Sequence, residues 1–293
     1  MDGVIVVDKQ EGWTSHDVVN KVRRIAQTKK VGHLGTLDPI ATGVLPLVVG
    51  RATRLAQFYT RNDKVYDTII RFGYSTDSYD RSGAPTSPDT HPEVSREELE
   101  DLLPRFIGEL QQVPPPISAK KVAGMRAYKL ARKNIEVELE PVTVNVYSLQ
   151  LKEVTGSEAR IVAHCSAGTY VRSLAHDLGK LLGCSAHLRD LRRTASGDFG
   201  EEHARTLEEL EALAREGKLD EALIAAAKLL PEFPAVYVDE LITTQIRQGR
   251  NFPVSAFRTR QGSRYVKAVT REGDLVAIGE AKLPNLYHPV VVL

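Results

Sequence analysis

Residues 33–45, HLGTLDPIATGVL, cannot continue as regular helix or strand. Pro39 has no backbone N–H and biases Asp38 toward an extended backbone, while Gly35 and Gly43 permit tight turns or the close approach of another chain. The segment therefore reads as a shaped loop that sets one carboxylate, Asp38, among Leu37, Ile40 and Leu45. An acid in so apolar a loop is a candidate reacting group, although a lone Asp-Pro pair would be read as a turn or helix cap.

The flanking pattern mixes strands and helices. Residues 4–7 form a short buried strand, and Ser15 can cap a helix whose apolar positions Val18, Val19, Val22, Ile25 and Ala26 follow helical spacing. Residues 44–49 make a second apolar strand, 52–59 a short helix with Arg54 near its start, and 64–74 a strand with Tyr66 near its beginning. Ser95 and Glu98 form a capping-box pattern ahead of Leu99. Pro114, Pro115 and Pro116 impose an extended connector. Strands are expected at 142–151 and 160–166, a helix over 169–182 ending at Gly183, and a further helix across 205–230. The interruption at Pro231-Glu232-Phe233-Pro234 and the glycine-punctuated stretch beyond it place a domain boundary there, between 1–232 and 235–293.

At 293 residues and 42% hydrophobic content the chain can bury one sizeable core and a smaller second one. No apolar run approaches the roughly 20 residues that span a bilayer, and the N-terminus lacks a signal-peptide layout, so a soluble, cytoplasmic protein is expected. Cys165 and Cys184 supply no disulfide framework and no paired zinc pattern. A Walker-type loop, a dinucleotide fingerprint and a paired-histidine zinc helix are also missing, which argues against an NTPase, a nicotinamide enzyme or a zinc hydrolase.

Net charge is only +1, yet the charges are segregated. Residues 118–133 carry Lys120, Lys121, Arg126, Lys129, Arg132 and Lys133 with no acid; Arg189, Arg192 and Arg193 form a second cluster, and Arg247, Arg250, Arg258, Arg260 and Arg264 a third. Any one cluster is ordinarily a solvated face, but several basic blocks set apart from acidic ones point to a polyanionic partner.

Gly3-Val4-Ile5-Val6-Val7-Asp8-Lys9 with Gly12-Trp13-Thr14-Ser15-His16, the Asp38 loop, Gly50-Arg51-Ala52-Thr53-Arg54, and Lys64-Val65-Tyr66 with Gly73, Thr76, Asp77 and Asp80 make one series of blocks. Pro114-Pro115-Pro116-Ile117-Ser118-Ala119-Lys120-Lys121, Cys165-Ser166-Ala167-Gly168-Thr169-Tyr170-Val171-Arg172 and Leu191-Arg192-Arg193-Thr194 continue it. Together they resemble the bacterial tRNA pseudouridine synthases that modify the T-loop uridine at position 55. That resemblance implies an α+β pseudouridine synthase fold, with a mixed, mainly antiparallel central sheet flanked by helices. It also implies an RNA-clamping insertion at about 114–140 and a small C-terminal PUA-like RNA-binding β-barrel from 235. By the same resemblance Asp38 is the essential carboxylate, Arg172 its basic partner and Tyr66 the active-site tyrosine. Tyr170 and Leu191 line the pocket, and His33 inserts into the RNA. Lys9 and Arg54 contact phosphates or position the loop, and Lys120, Lys121, Arg126, Lys129 and Arg132 grip the RNA. The implied partner is the T arm of tRNA, with no metal, no membrane and no obligatory protein partner.

Isomerising uridine breaks the C1′–N1 bond and makes a C1′–C5 bond, with no net redox change and no group lost, so no cofactor is required. A carboxylate can attack sugar or base, or assist deprotonation at the neighbouring sugar carbon; the residues leave these routes open. An apolar surround disfavours a charged carboxylate, and a guanidinium beside it typically restores about 1–3 pKa units. Tyr66 could stack on an extruded uracil, worth about 1–3 kcal/mol per base, or accept a proton, against which a phenol pKa near 10 weighs. Extrusion costs a few kcal/mol, and something such as His33 must fill the vacated space. A noncatalytic RNA-binding or tRNA-chaperone protein, or a related synthase acting on another RNA, is the competing reading.

Overall fold

The computed structural model describes residues 1–117, 121–122, 125–126, 139–254 and 263–293. Its larger sheet grows from β1 (Gly3–Lys9), an almost continuous apolar run suited to a strand covered on both faces. β1 pairs antiparallel with β3 (Thr42–Val49), which also takes the short β2 (Val31–His33). β3 lies parallel to β10 (Ala186–Ser196), and from there β4 (Lys64–Phe72), β9 (Glu158–Cys165), β8 (Val142–Thr155) and β5 (Gly108–Gln112) follow antiparallel. Three short strands extend the sheet: β11 (Phe199–Gly200) on β10, and β12 (Ala204–Arg205) and β13 (Leu223–Ala225) on β1. The expected mixed, mainly antiparallel sheet is therefore what the chain forms. A separate hairpin joins β6 (Lys121–Val122) to β7 (Met125–Arg126).

The two-residue period of the strands divides their side chains between two cores. Ile5, Val7, Leu45 and Leu47 face one side, where α1 (Ser15–Ile25), α2 (Arg96–Leu102), α3 (Val171–Leu181) and α4 (Leu207–Arg215) contribute Val18, Leu99, Leu174 and Leu210. Val4, Val6, Val44 and Val48 face the other side, against Leu55 and Tyr59 of a 3-10 helix (Gly50–Tyr59). That second core also includes Val269, Leu275, Ile278 and Val291. They belong to a five-stranded sheet of β14 (Ala235–Tyr237), β16 (Tyr265–Val269), β17 (Leu275–Leu283), β18 (Leu286–Val292) and β15 (Phe252–Pro253), in that order. With α5 (Glu240–Arg247) this sheet closes a third core around Phe252 and Val266.

Two local expectations are corrected. The cap of α1 is Thr14, in a reciprocal box with Asp17, and Ser15 is the first helical residue. The helix expected across 205–230 covers only Leu207–Arg215, because Gly217 takes a left-handed φ of +71° and Leu223–Ala225 leaves to pair with Gly3–Ile5 at the sheet edge. Edge pairing there outweighs the helix propensity of a Leu, Ala and Glu-rich segment. The capping box at Ser95 and Glu98 forms as expected. Among the described residues no helix is long and apolar enough to cross a membrane.

Candidate active site

Where β3 begins, Gly43 lies opposite Arg193 of β10 with φ +95°, and a Cβ there would sit 2.3 Å from the Arg193 carbonyl oxygen. The close strand approach therefore requires glycine. The Asp38 loop just before it is fastened by three elements. Ser15 of α1 accepts the Leu37 N–H at 2.8 Å and donates its hydroxyl to the Leu37 carbonyl at 3.0 Å. Lys9, at the end of β1, donates to the carbonyls of Trp13 at 2.7 Å, Gln10 at 2.9 Å and Pro39 at 3.4 Å. Arg193 donates to the carbonyls of Val44 at 2.8 Å, Gly35 at 3.1 Å and Thr36 at 3.2 Å.

Held in this way, Asp38 keeps 38% of its side chain exposed and turns Oδ2 to within 2.9 Å of Nη2 of Arg172. Arg172 lies in the first turn of α3 and is buried. Its Nη1 donates to the carbonyls of Ser78 and Ile117, each at 3.0 Å, and stands 3.3 Å from Oδ2 of buried Asp80. Asp80 accepts further bonds from the Ser78 hydroxyl and from the backbone and hydroxyl of Ser82. One guanidinium thus bridges two carboxylates, a task suited to the planar fork of arginine. The entry to α3 is fixed by Gln112, whose amide side chain both accepts from the Tyr170 N–H at 2.7 Å and donates to the Tyr170 carbonyl at 3.0 Å.

These groups border a cleft of about 500 Å³, whose lining also includes Tyr66, Tyr170, Leu191, Lys64 and His33. The alternation of β4 turns Lys64 and Tyr66 to the same side. Burial raises the Tyr66 phenol above its ordinary value, with the nearby Arg193 guanidinium opposing the rise. Burial lowers the Lys64 ammonium, and Arg193 adds to that. Lys9 is brought down to about 8 by burial, against the pull of Asp38. His33 is exposed at the cleft's edge.

Other expected binding residues lie elsewhere. Lys9 is fully buried with its ammonium committed to backbone carbonyls, so it holds the loop and is shielded from phosphates. Arg54 lies outside the cleft lining and donates to the Val292 carbonyl at 2.6 Å, tying the 3-10 helix to β18. The cluster at 189–193 is not a free basic face: Arg193 is buried, Arg192 pairs with Asp8 and Glu201, and Arg189 with Glu158 and Asp190. Arg264 pairs with Glu280. Lys120, Lys129, Arg132, Arg258 and Arg260, and the side chains of Lys121 and Arg126, lie outside the described residues. Sequence reasoning gave no individual role in the site to Ser15, Gln112, Arg193, Lys64 or Asp80, although all but Gln112 stand in the blocks that carry the resemblance. For Asp80 a signal was present, since Ser78 and Ser82 flank it at two-residue spacing and can bond a buried carboxylate.

The mixed sheet flanked by helices, with a second small sheet beside it, is the fold of a pseudouridine synthase. The chain matches a structure of an H/ACA RNP bound to a substrate RNA containing 2′-deoxyuridine with a TM-score of 0.73 and 26% identity, over 99% of this chain and 84% of that one. It also matches an archaeal box H/ACA sRNP Nop10-Cbf5 complex with a TM-score of 0.69 and 28% identity, over 96% and 79% of the two chains. The chain belongs to the TruB family of pseudouridylate synthases: residues 23–171 match the family's N-terminal domain, and 172–242 match the C-terminal domain of tRNA pseudouridylate synthase B. It is 66% identical over the full length of both chains to the tRNA pseudouridine synthase B of Solibacter usitatus (strain Ellin6076). It is 41% identical to that of Dechloromonas aromatica (strain RCB), over 99% of this chain and 94% of the relative.

Proposed function

We propose that this protein isomerises the uridine at position 55, in the T arm of tRNA, to pseudouridine, and that Asp38 is the reacting carboxylate. The observation that carries the reading is the placement of Asp38: the backbone on either side of it is tied by three elements, and its carboxylate opens into the cleft against buried Arg172 at 2.9 Å. Such preorganisation fixes the group's position before substrate arrives.

Uridine must leave its stack to reach Asp38, and a cleft of about 500 Å³ falls within the usual range for small-molecule sites, about 300–1,000 Å³. The C1′–N1 bond breaks with its electron pair passing to the base, and Asp38 answers the electron deficiency at the sugar. The freed uracil turns so that C5 faces C1′, the new C1′–C5 bond forms, and the proton on C5 is lost while N1, which kept the electron pair of the broken bond, takes one up, so that the product is an isomer of the substrate. Tyr66, Tyr170 and Leu191 supply the apolar walls that keep the uracil in the cleft while it turns. His33, exposed at the edge, is placed to fill the space left in the RNA. Residues 235–293 serve as a PUA-like RNA-binding unit joined to a catalytic unit of 1–232, and the basic segment at about 114–140 clamps the T arm. The enzyme acts alone in the cytoplasm.

The test incubates purified protein with an unmodified tRNA transcript and maps pseudouridine chemically. One modified site, at position 55, is expected. Asp38→Asn should lose turnover by at least roughly a thousandfold, the scale seen when an activated reacting group is removed, while tRNA binding is largely kept. Near-normal isomerisation by that variant would remove Asp38 from the chemistry.

A further inference from the structure

We propose that the stack of Tyr79 on His176 is a positioning device that holds the Arg172 guanidinium against Asp38. The proposal rests on the reading of Asp38 and Arg172 as the reacting pair, and it adds two residues that are not part of the cleft lining.

Arg172 and His176 stand four residues apart on α3 and so share one face of the helix. The turn at 75–82 grips both. Ser78 offers its carbonyl, and Asp80 its carboxylate, to Nη1 of Arg172. Tyr79, between them, lays its ring on the His176 imidazole with centroids 3.7 Å apart and planes 9° from parallel. Ser75 completes the grip, its hydroxyl 2.9 Å from Nδ1 of His176. Burial lowers His176 to about 4, so the ring that receives the stack is neutral at ordinary pH.

Tyr79 adopts φ +62°, a left-handed conformation that residues with a Cβ avoid. Glycine would satisfy that backbone without strain, so the conformation alone does not call for tyrosine. The ring is what the position gains, and the backbone aims it at α3. On its other side the turn is sewn to β10, where the Leu188 N–H donates to the Tyr79 carbonyl at 3.0 Å and the Arg81 N–H to the Leu188 carbonyl at 2.9 Å. The turn is thus anchored to the sheet by its backbone and to the helix by the stack. That anchorage matters because Arg172 is shared between two carboxylates. A slight rotation of α3 against the turn would leave Nη1 with Asp80 while drawing Nη2 away from Asp38, and the stacked rings block that rotation.

The experiment compares wild type, Tyr79→Gly, Tyr79→Phe, His176→Ala and the Tyr79→Gly/His176→Ala double variant in steady-state turnover of a tRNA transcript and in thermal melting. Tyr79→Gly removes the ring while relieving the backbone, so its melting temperature should hold or rise. Its kcat should fall roughly tenfold to a hundredfold, the cost of a small misplacement of a reacting group, with KM unchanged. Tyr79→Phe should restore wild-type kcat. His176→Ala should lower kcat as Tyr79→Gly does, and the double variant should lose no more than either. Unchanged kcat in Tyr79→Gly, no rescue by phenylalanine, or a loss of activity that follows a fall in melting temperature would overturn the proposal. Asp38→Asn run in parallel separates the two readings. If wild type is active and Asp38→Asn is not, a normal Tyr79→Gly sinks only the stack; an inactive wild type sinks the proposed function itself.

Discussion

Four cationic side chains are buried around the cleft, Lys9, Lys64, Arg172 and Arg193, and among the described residues only Arg172 has a carboxylate within ion-pair distance. The other three spend their donors on main-chain carbonyls, Lys64 on that of Asn62. A buried charge is tolerable only when hydrogen-bonded, and here the bonds of Lys9 and Arg193 hold the loop that carries Asp38. Tyr66 sits beside this group, and burial keeps its phenol above the ordinary value of 10.0. In the free enzyme Tyr66 therefore holds its proton at neutral pH and acts as a packing surface; to accept a proton it would first have to lose one as substrate binds. An ultraviolet difference titration of wild type against Tyr66→Phe should show the missing tyrosine ionising above pH 10. A midpoint near neutrality would restore Tyr66 as a general base poised in the resting enzyme.

The catalytic loop belongs to no single element: β1, α1 and β10 each contribute one tether, so its shape is stable only as far as those three elements stay packed. Lys9 makes this dependence measurable. Its folded pKa of about 8 lies below the ordinary lysine value of 10.5, so between those values the unfolded chain binds more protons and stability rises with pH. Below about pH 8 both states are protonated and the cost of burying the charge is fully present. Melting of wild type and Lys9→Met across this window should show wild type gaining on the variant by on the order of 3 kcal/mol; a pH-independent difference would mean that Lys9 titrates alike in the folded and unfolded chain, so that burial does not depress its pKa. Much of this arrangement was legible in sequence. The β4 alternation, the capping box at Ser95 and the glycines around Asp38 each carry a local physical requirement. Arg193 was not legible, because Arg192 and Arg193 are alike in type and only strand alternation tells them apart. Register shifts at Leu188/Asp190 and Arg193/Ala195 interrupt that alternation along β10. The segment after Gly217 was misread for a related reason: its pairing partner, Gly3–Ile5, is more than two hundred residues away in the chain.

Over the whole molecule, near-neutral charge conceals that several of the described arginines are already committed to carboxylates of the protein. Arg71, Arg81, Arg160, Arg189, Arg192 and Arg264 each face a carboxylate. A cation already paired within the protein releases few counterions when a phosphate approaches, because the pair must first be broken. By charge alone, residues 118–133 with six cations and no acid are a strong candidate for polyanion binding. The two kinds of arginine and lysine can be separated by the dependence of tRNA affinity on salt. Replacing Lys120, Lys121 and Lys129 together by glutamine should weaken binding and flatten the log–log salt slope by about 2–3, close to one per phosphate contact. Arg192→Gln should leave the slope as it is, since its charge serves Asp8 and Glu201. If Arg192→Gln flattened the slope as much as one of the lysine replacements does, the internal pairs would have to open on binding. The RNA footprint would then extend across the part of the sheet where β1, β3 and β10 adjoin.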